Sequence, residues 1–257
     1  MILQHKGYLL CTMPRSGSTL LCDLLEQTGV AGAPDSFFRW QSMADFASQW
    51  GIAAQTLECF DQAYLDTALK HGNAGTGCFG MRIMWNNMPP LCARLGALFP
   101  HATGDHDRLR AAFGRLRFLH LSRADKVAEA VSLAIAHQTG LWHRNADGSE
   151  RERFQPHQDP VFDADLIMRE YMEVTAGHND WNDWFKTQGI TPHRVRYEAL
   201  SANPKEEVAS ILTFLGLNPA AADKARPKTR KLATALNRDW ADRFRAAIGI
   251  ENPQASA

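Results

Sequence analysis

Short unbroken apolar runs alternate along this chain with longer segments whose apolar residues recur every three or four positions. Gly7-Tyr-Leu-Leu-Cys-Thr12 suits a strand buried on both faces. Leu20, Leu21, Leu24 and Leu25 then repeat on one helical face, and Gly29 stands where a C′ residue ends a helix. Gly80-Met-Arg-Ile-Met-Trp85 predicts a second buried strand and Arg117-Phe-Leu-His-Leu121 a third, followed by a helix over 124–138. Ile167, Tyr171, Val174, His178, Trp181 and Phe185 step by four and three, predicting a long amphipathic helix within 160–187. Arg194-Val-Arg-Tyr197 is a fourth short strand. Asn203, Pro204 and Glu206 have the order of an N-cap, an N1 proline and a capping box, with Val208, Ile211, Leu212 and Leu215 as the buried stripe and Gly216 as the stop. Segments 101–115 and 143–160 carry no periodicity and read as loops, the second long enough for a lid. Strand and helix in alternation predict an α/β fold: one domain over 1–250, a mostly parallel sheet flanked by helices, and a loose tail at 251–257.

Charge narrows the partners. Lys+Arg and Asp+Glu both number 28, so no global basic field is available to hold a nucleic acid. The stretch 224–245 is an exception, with a net of +6 that could meet one small polyanion or form a solvated helix face. No apolar run is long enough for a transmembrane segment, and the N-terminus lacks the pattern of a signal peptide. The five cysteines have no C-x-x-C spacing, which fits reduced thiols and a cytoplasmic location. Ten histidines form no paired metal-ligand spacing, so no metal is expected.

The strongest chemical signal is Pro14-Arg15-Ser16-Gly17-Ser18-Thr19, placed between the first strand and the first helix. A helix N-terminus offers unpaired amides and a positive dipole end. Small residues let an anion approach those amides, the hydroxyls add donors, and Arg15 adds a charge that does not titrate near neutrality. The other reading is a tight turn capped by serine. A triphosphate-binding Walker loop needs a Lys after its second Gly, and Gly17 is followed by Ser18.

P-R-S-G-S-T-L-L after a first strand resembles the 5′-phosphosulfate loop of sulfotransferases. Tyr8–Phe38, the M-W-N-N-M-P segment at 84–89, Arg123…Ala130-Val-Ser132 and Asp239-Trp240…Arg243-Phe244 resemble the bacterial trehalose 2-sulfotransferase family over most of the chain. The resemblance implies a P-loop NTPase-like architecture and 3′-phosphoadenylyl sulfate as donor. It places the donor's 3′-phosphate on Arg123 and Ser132, with Arg230 and Lys231 available to close over the nucleotide. A carbohydrate or glycolipid hydroxyl is the implied acceptor and a homodimer the implied assembly. Residues 33–40 are where acceptor specificity is expected, through Ala33, Asp35, Ser36, Phe37 and Arg39, and Trp50 outside that segment is a further candidate contact. One or two of Phe37, Phe38, Trp40, Trp50 and Trp85 are expected at the site.

One position departs from the family. Its general base is a Glu just before the paired phenylalanines, and here that residue is Ser36. Asp35 is one replacement, a histidine such as His137 or His143 another, and a slow or degenerate enzyme a third. Losing a general base typically costs about 10²–10⁴-fold in rate. A small-molecule P-loop kinase and a non-catalytic nucleotide-binding protein of the same fold are the competing functions.

Overall fold

The computed structural model describes residues 6–144, 147–227 and 235–250. The strands are β1 (Lys6–Thr12), β2 (Cys78–Met84), β3 (Arg115–Ser122), β4 (Leu141–Arg144), β5 (Glu150–Arg153) and β6 (His193–Arg196). The helices are α1 (Ser18–Gln27), α2 (Met43–Trp50), α3 (Gln62–Asn73), α4 (Met88–Leu98), α5 (Asp105–Phe113), α6 (Lys126–Thr139), α7 (Ala164–Thr187), α8 (Tyr197–Ala202), α9 (Pro204–Leu215) and α10 (Ala235–Ile248).

A four-stranded sheet in the order β2-β1-β3-β6 is parallel at every pairing. β1 is buried on both faces, which is why its sequence is an apolar run. Leu9 and Cys11 enter one core with residues of α3, α4, α5 and α7. Tyr8 and Leu10 enter the opposite core with residues of α1, α8 and α9. A third apolar cluster joins α6, α7 and α10. Trp240 and Phe244 are buried there, so the tryptophan and phenylalanine of the Asp239–Phe244 segment serve packing.

Several expectations are corrected. Segment 101–115 contains α5, whose first turn carries Asp105 and Asp107 and whose buried face is only Leu109, Ala112 and Phe113; three buried residues in nine, two of them adjacent, leave a weak periodic signal. Segment 143–160 is not wholly irregular: β4 and β5 pair as an antiparallel hairpin. Its register shifts at His143 break the period-two pattern that would have marked it. Asn203 precedes α9 without capping it through its side chain, so the capping box is not formed. Arg230, Lys231 and the tail at 251–257 lie outside the described residues.

The carboxyl ends of the parallel strands all face one crevice, the place where such sheets bind ligands. Residues 13–17 follow β1, a short turn Trp85–Asn87 follows β2, Arg123 follows β3 and Tyr197 follows β6.

Candidate active site

The loop after β1 is bent by two left-handed residues, Arg15 at φ +64° and Gly17 at φ +92°. A non-glycine residue in that region is uncommon and strained. Ser16 is fully buried, with its hydroxyl 2.5 Å from Thr12 Oγ1 and donating to the Met13 carbonyl at 2.7 Å. Ser16 therefore shapes the turn. The space beside Gly17 is filled by Tyr197: a Cβ there would lie 2.3 Å from the tyrosine Cδ2. The same ring carries the Arg123 guanidinium, whose carbon is 5.0 Å from the ring centre.

Arg15 joins the loop to α6 and the hairpin. Its Nε donates to Ser132 Oγ at 3.0 Å and its Nη1 donates to the Trp142 carbonyl. Burial pushes the guanidinium down to about 10, and the nearby charge of Arg123 adds to the shift. Arg15 remains charged at neutral pH. Two arginines close enough to oppose one another, beside the dipole end of α1, suit this corner to an anion.

Arg123 is positioned through its backbone. Its carbonyl accepts from Lys126 Nζ at 2.5 Å, and the next amide donates to Glu198 of α8 at 3.2 Å. Asp125 then caps α6 and receives Arg245 of α10 at 2.7 Å. Arg123 Nε is buried and has no hydrogen-bond partner among the described residues. A buried donor without an acceptor costs about 1–3 kcal/mol, and an anionic oxygen would relieve it.

A cleft opens from this corner, lined by Arg15, Ser18, Thr19, Ser36, Arg39, Arg82, Asn86, Asn87, Leu133, His137, Trp142, His143, Glu152 and Glu173, among others. Arg15 also lines a neighbouring cavity with Ser132 and Arg144. The guanidinium thus stands between two chambers.

Arg82 organises the cleft's other wall. It donates from Nε to Ser36 Oγ at 2.7 Å and from Nη1 to Thr19 Oγ1 at 2.9 Å. In the sequence Arg82 is a strand residue with no assigned role, and its charge inside the apolar run Gly80–Trp85 is the one signal it carries. The hairpin supplies Trp142, His143 and Glu152. His143 Nε2 lies 3.1 Å from Thr19 Oγ1 and 3.3 Å from Glu152 Oε2, and Glu152 Oε1 lies 3.5 Å from Arg39. Burial pulls His143 down to about 3, and Arg15, Arg82, Arg151 and Arg39 push the same way. His143 is a neutral imidazole at neutral pH.

The segment expected to choose the acceptor is divided. Asp35 bridges to Met81 at the edge of β2, and its carbonyl accepts from the Arg82 amide. In such an extended segment alternate side chains point opposite ways. Ser36 and Arg39 line the cleft with Arg15. Ala33, Asp35, Phe37 and Trp50 line a separate outer groove with Phe46 and His71. The Asp35 side chain is 52% exposed, accepts from the Ser36 amide at 2.7 Å and lies 3.5 Å from Arg82 Nη2. Of the aromatic residues expected at the site, Phe37 and Phe38 are buried and Trp40 is exposed; the indole among the residues named for the cleft is Trp142.

Comparison with known proteins fits this arrangement. The family model for Stf0 sulphotransferase matches residues 7–247. Trehalose 2-sulfotransferase of Mycobacterium tuberculosis is 32% identical over 94% of this chain and 95% of the relative. The protein of the same name from Mycolicibacterium smegmatis is 29% identical over 93% and 94%. Among solved structures, the sulfotransferase domain of the Synechococcus PCC 7002 olefin synthase covers 98% of this chain, is covered to 99% and is 16% identical, with a TM-score of 0.43. With the family model spanning nearly all of its length, and a relative 32% identical over 94% of it, the chain belongs to the Stf0 sulphotransferase family.

Proposed function

We propose that this sulfotransferase moves a sulfuryl group from 3′-phosphoadenylyl sulfate to a hydroxyl of a carbohydrate or glycolipid head group. The observation that carries the donor assignment is the buried, unsatisfied Arg123 Nε beside a second guanidinium, Arg15, that is already fixed to Ser132. Both arginines present planar forks suited to phosphate and sulfate oxygens. Arg123 and Ser132 would hold the 3′-phosphate, and the first turn of α1 with Ser18 and Thr19 would meet the phosphosulfate. When bound, the donor supplies an activated sulfur and a stable phosphate leaving group.

The residues of this chain then act by position and charge. Sulfuryl transfer, like phosphoryl transfer, develops charge on the leaving oxygen. Arg15 and the amides of the loop are aimed where that charge grows, in a corner where burial strengthens them. The acceptor side is polar: Ser36, Arg39, Asn86, Asn87 and Glu152 offer several donors and acceptors to sugar hydroxyls, and Trp142 offers a ring face. The names of the two relatives support a sugar acceptor, while Ser36 and the hairpin give this cleft its own contacts.

Calorimetry with adenosine 3′,5′-bisphosphate against ATP with Mg²⁺ tests the donor. The expected result is saturable binding of the bisphosphate and at least tenfold weaker ATP binding, about 1.4 kcal/mol. Tight ATP binding with no response to the bisphosphate would favour a kinase and reject the reading.

A further inference from the structure

Ser36 leaves the cleft without a carboxylate at the expected position, so another group must accept the acceptor's proton. Asp35 belongs to the outer groove. Glu152 is held by Arg39 on one oxygen and His143 on the other. His143 has its Nε2 between Thr19 and Glu152 and is made a very weak base by its surroundings. Glu173 of α7 has no hydrogen bond or ion pair among the described residues to orient it, and is exposed like His137.

His137 differs from all of these. It lies on α6, one turn beyond Leu133, and both line the cleft with Arg15. Its Nδ1 is 2.9 Å from Glu170 Oε1 of α7, and Glu170 is buried. The second carboxylate oxygen, Glu170 Oε2, is buried with no hydrogen-bond partner among the described residues. A carboxylate desolvated to that extent, with an imidazole against its other oxygen, holds one tautomer: the proton on Nδ1, the lone pair on Nε2. Nε2 has no hydrogen-bond partner among the described residues. The His137 ring packs edge-on against Trp142, 5.3 Å between centres, and the Trp142 carbonyl accepts from Arg15. The imidazole and the loop cation are thereby tied to one residue of the hairpin.

We infer that His137, oriented by Glu170, is the general base that takes the proton from the acceptor hydroxyl. The inference rests on the proposed sulfuryl transfer. As the acceptor oxygen bonds to sulfur, its proton passes to His137 Nε2. The bond from sulfur to the bridging phosphate oxygen breaks, and its electron pair leaves with adenosine 3′,5′-bisphosphate. The imidazolium is stabilised by Glu170 and afterwards loses the proton to solvent. The hydrogen bond to Glu170 raises the imidazole's proton affinity, burial opposes this, and the charges of Glu170 and Glu173 add to the rise. Across the cleft the charged groups are Arg15, Arg39, Arg82 and Glu152.

The experiment compares wild type, His137→Gln and Glu170→Gln. Bisphosphate binding is measured by calorimetry, and transfer from 3′-phosphoadenylyl sulfate to trehalose, and to glucose, is followed from pH 5 to 9. Nitrogen-detected NMR of the imidazole completes the set. His137→Gln is expected to bind the bisphosphate within about twofold of wild type, to lose roughly 10²–10⁴-fold in kcat, and to lose the acidic limb of the rate profile. Glu170→Gln is expected to move that limb to lower pH, because removing the carboxylate lowers the proton affinity of the base. A packing role alone would change the rate without moving the limb. If His137→Gln transfers within threefold of wild type with the same limb, the inference is overturned. If wild type binds the bisphosphate but sulfates neither sugar, NMR decides: a proton on Nδ1 and a titration above that of an exposed histidine support the inference, while a proton on Nε2 or a lower titration overturns it. Failure of wild type to bind the bisphosphate overturns the donor reading and this inference with it.

Discussion

At Arg15 the backbone φ of +64° is a cost of about 1–3 kcal/mol that a glycine would avoid. From that turn one guanidinium reaches both Ser132 and the Trp142 carbonyl. Arg15 and Arg123 should therefore fail differently when removed. Arg15→Ala is expected to lower kcat by about 10²–10³-fold with a small change in bisphosphate affinity, since it acts on charge that grows in the transition state. Arg123→Ala is expected to weaken bisphosphate binding by roughly tenfold or more, about 1.5–3 kcal/mol for a charged hydrogen bond. Calorimetry and steady-state kinetics separate the two, and equal effects on both parameters would contradict the assignment. Gly17→Ala tests the neighbouring residue. Its Cβ would strike the Tyr197 ring at 2.3 Å in a left-handed turn, and that ring supports Arg123. The expected result is a loss of about 1–3 kcal/mol in thermal or chemical denaturation together with weaker donor binding.

At the scale of elements, the hairpin of β4 and β5 decides how closed the cleft is. Arg151 grips Asp23 of α1 through two hydrogen bonds, at 2.6 and 2.9 Å, and Asp23 is buried. Breaking this pair by Arg151→Ala leaves a buried carboxylate without its cation and releases the hairpin from α1. Limited proteolysis is expected to cut within 141–153 several-fold faster, with KM for the acceptor raised more than kcat is lowered. Unchanged proteolysis would show that the hairpin is held by other contacts. This element marks the limit of what the chain reveals before folding. The loop 14–19 and the strands around it were legible because each depends on local pattern, an apolar run, small residues, then a helical stripe, whereas Arg123 was singled out only by the family resemblance. Trp142, Glu152 and Tyr197 were not, because they reach the site from segments far along the chain and carry no spacing relative to the loop. The split of residues 33–37 between two grooves was hidden for a different reason. It follows from a single bridge, Asp35 to Met81, that sets which side each alternate residue faces.

Across the whole molecule, burial of histidines, with cations nearby adding to its effect, makes the fold acid-sensitive. His120 is buried against α7, and burial with the charges of His178, Arg194 and Lys126 pulls it from 6.5 down to about 3. His143 falls to a similar value in the cleft. In the unfolded chain both histidines take up protons near pH 6.5, while the folded protein refuses them until about pH 3. The unfolded state thus binds more protons throughout that window, so stability falls as the pH drops through it. The limiting slope is about 1.4 kcal/mol per pH unit for each group, reduced for His143, whose side chain is partly exposed to solvent. His137 has the opposite sign. Its raised value contributes stability that is fully present below 6.5 and is lost as the pH rises through the folded value. Below 6.5 that contribution is constant and does not offset the other two. The expected observation is a Tm that declines steadily from pH 6.5 to pH 4.5, with a shallower decline in His143→Gln. That variant lacks a titrating group among four arginines, so a slope identical to wild type would mean that the cleft is wet enough to protonate its histidine in the folded state.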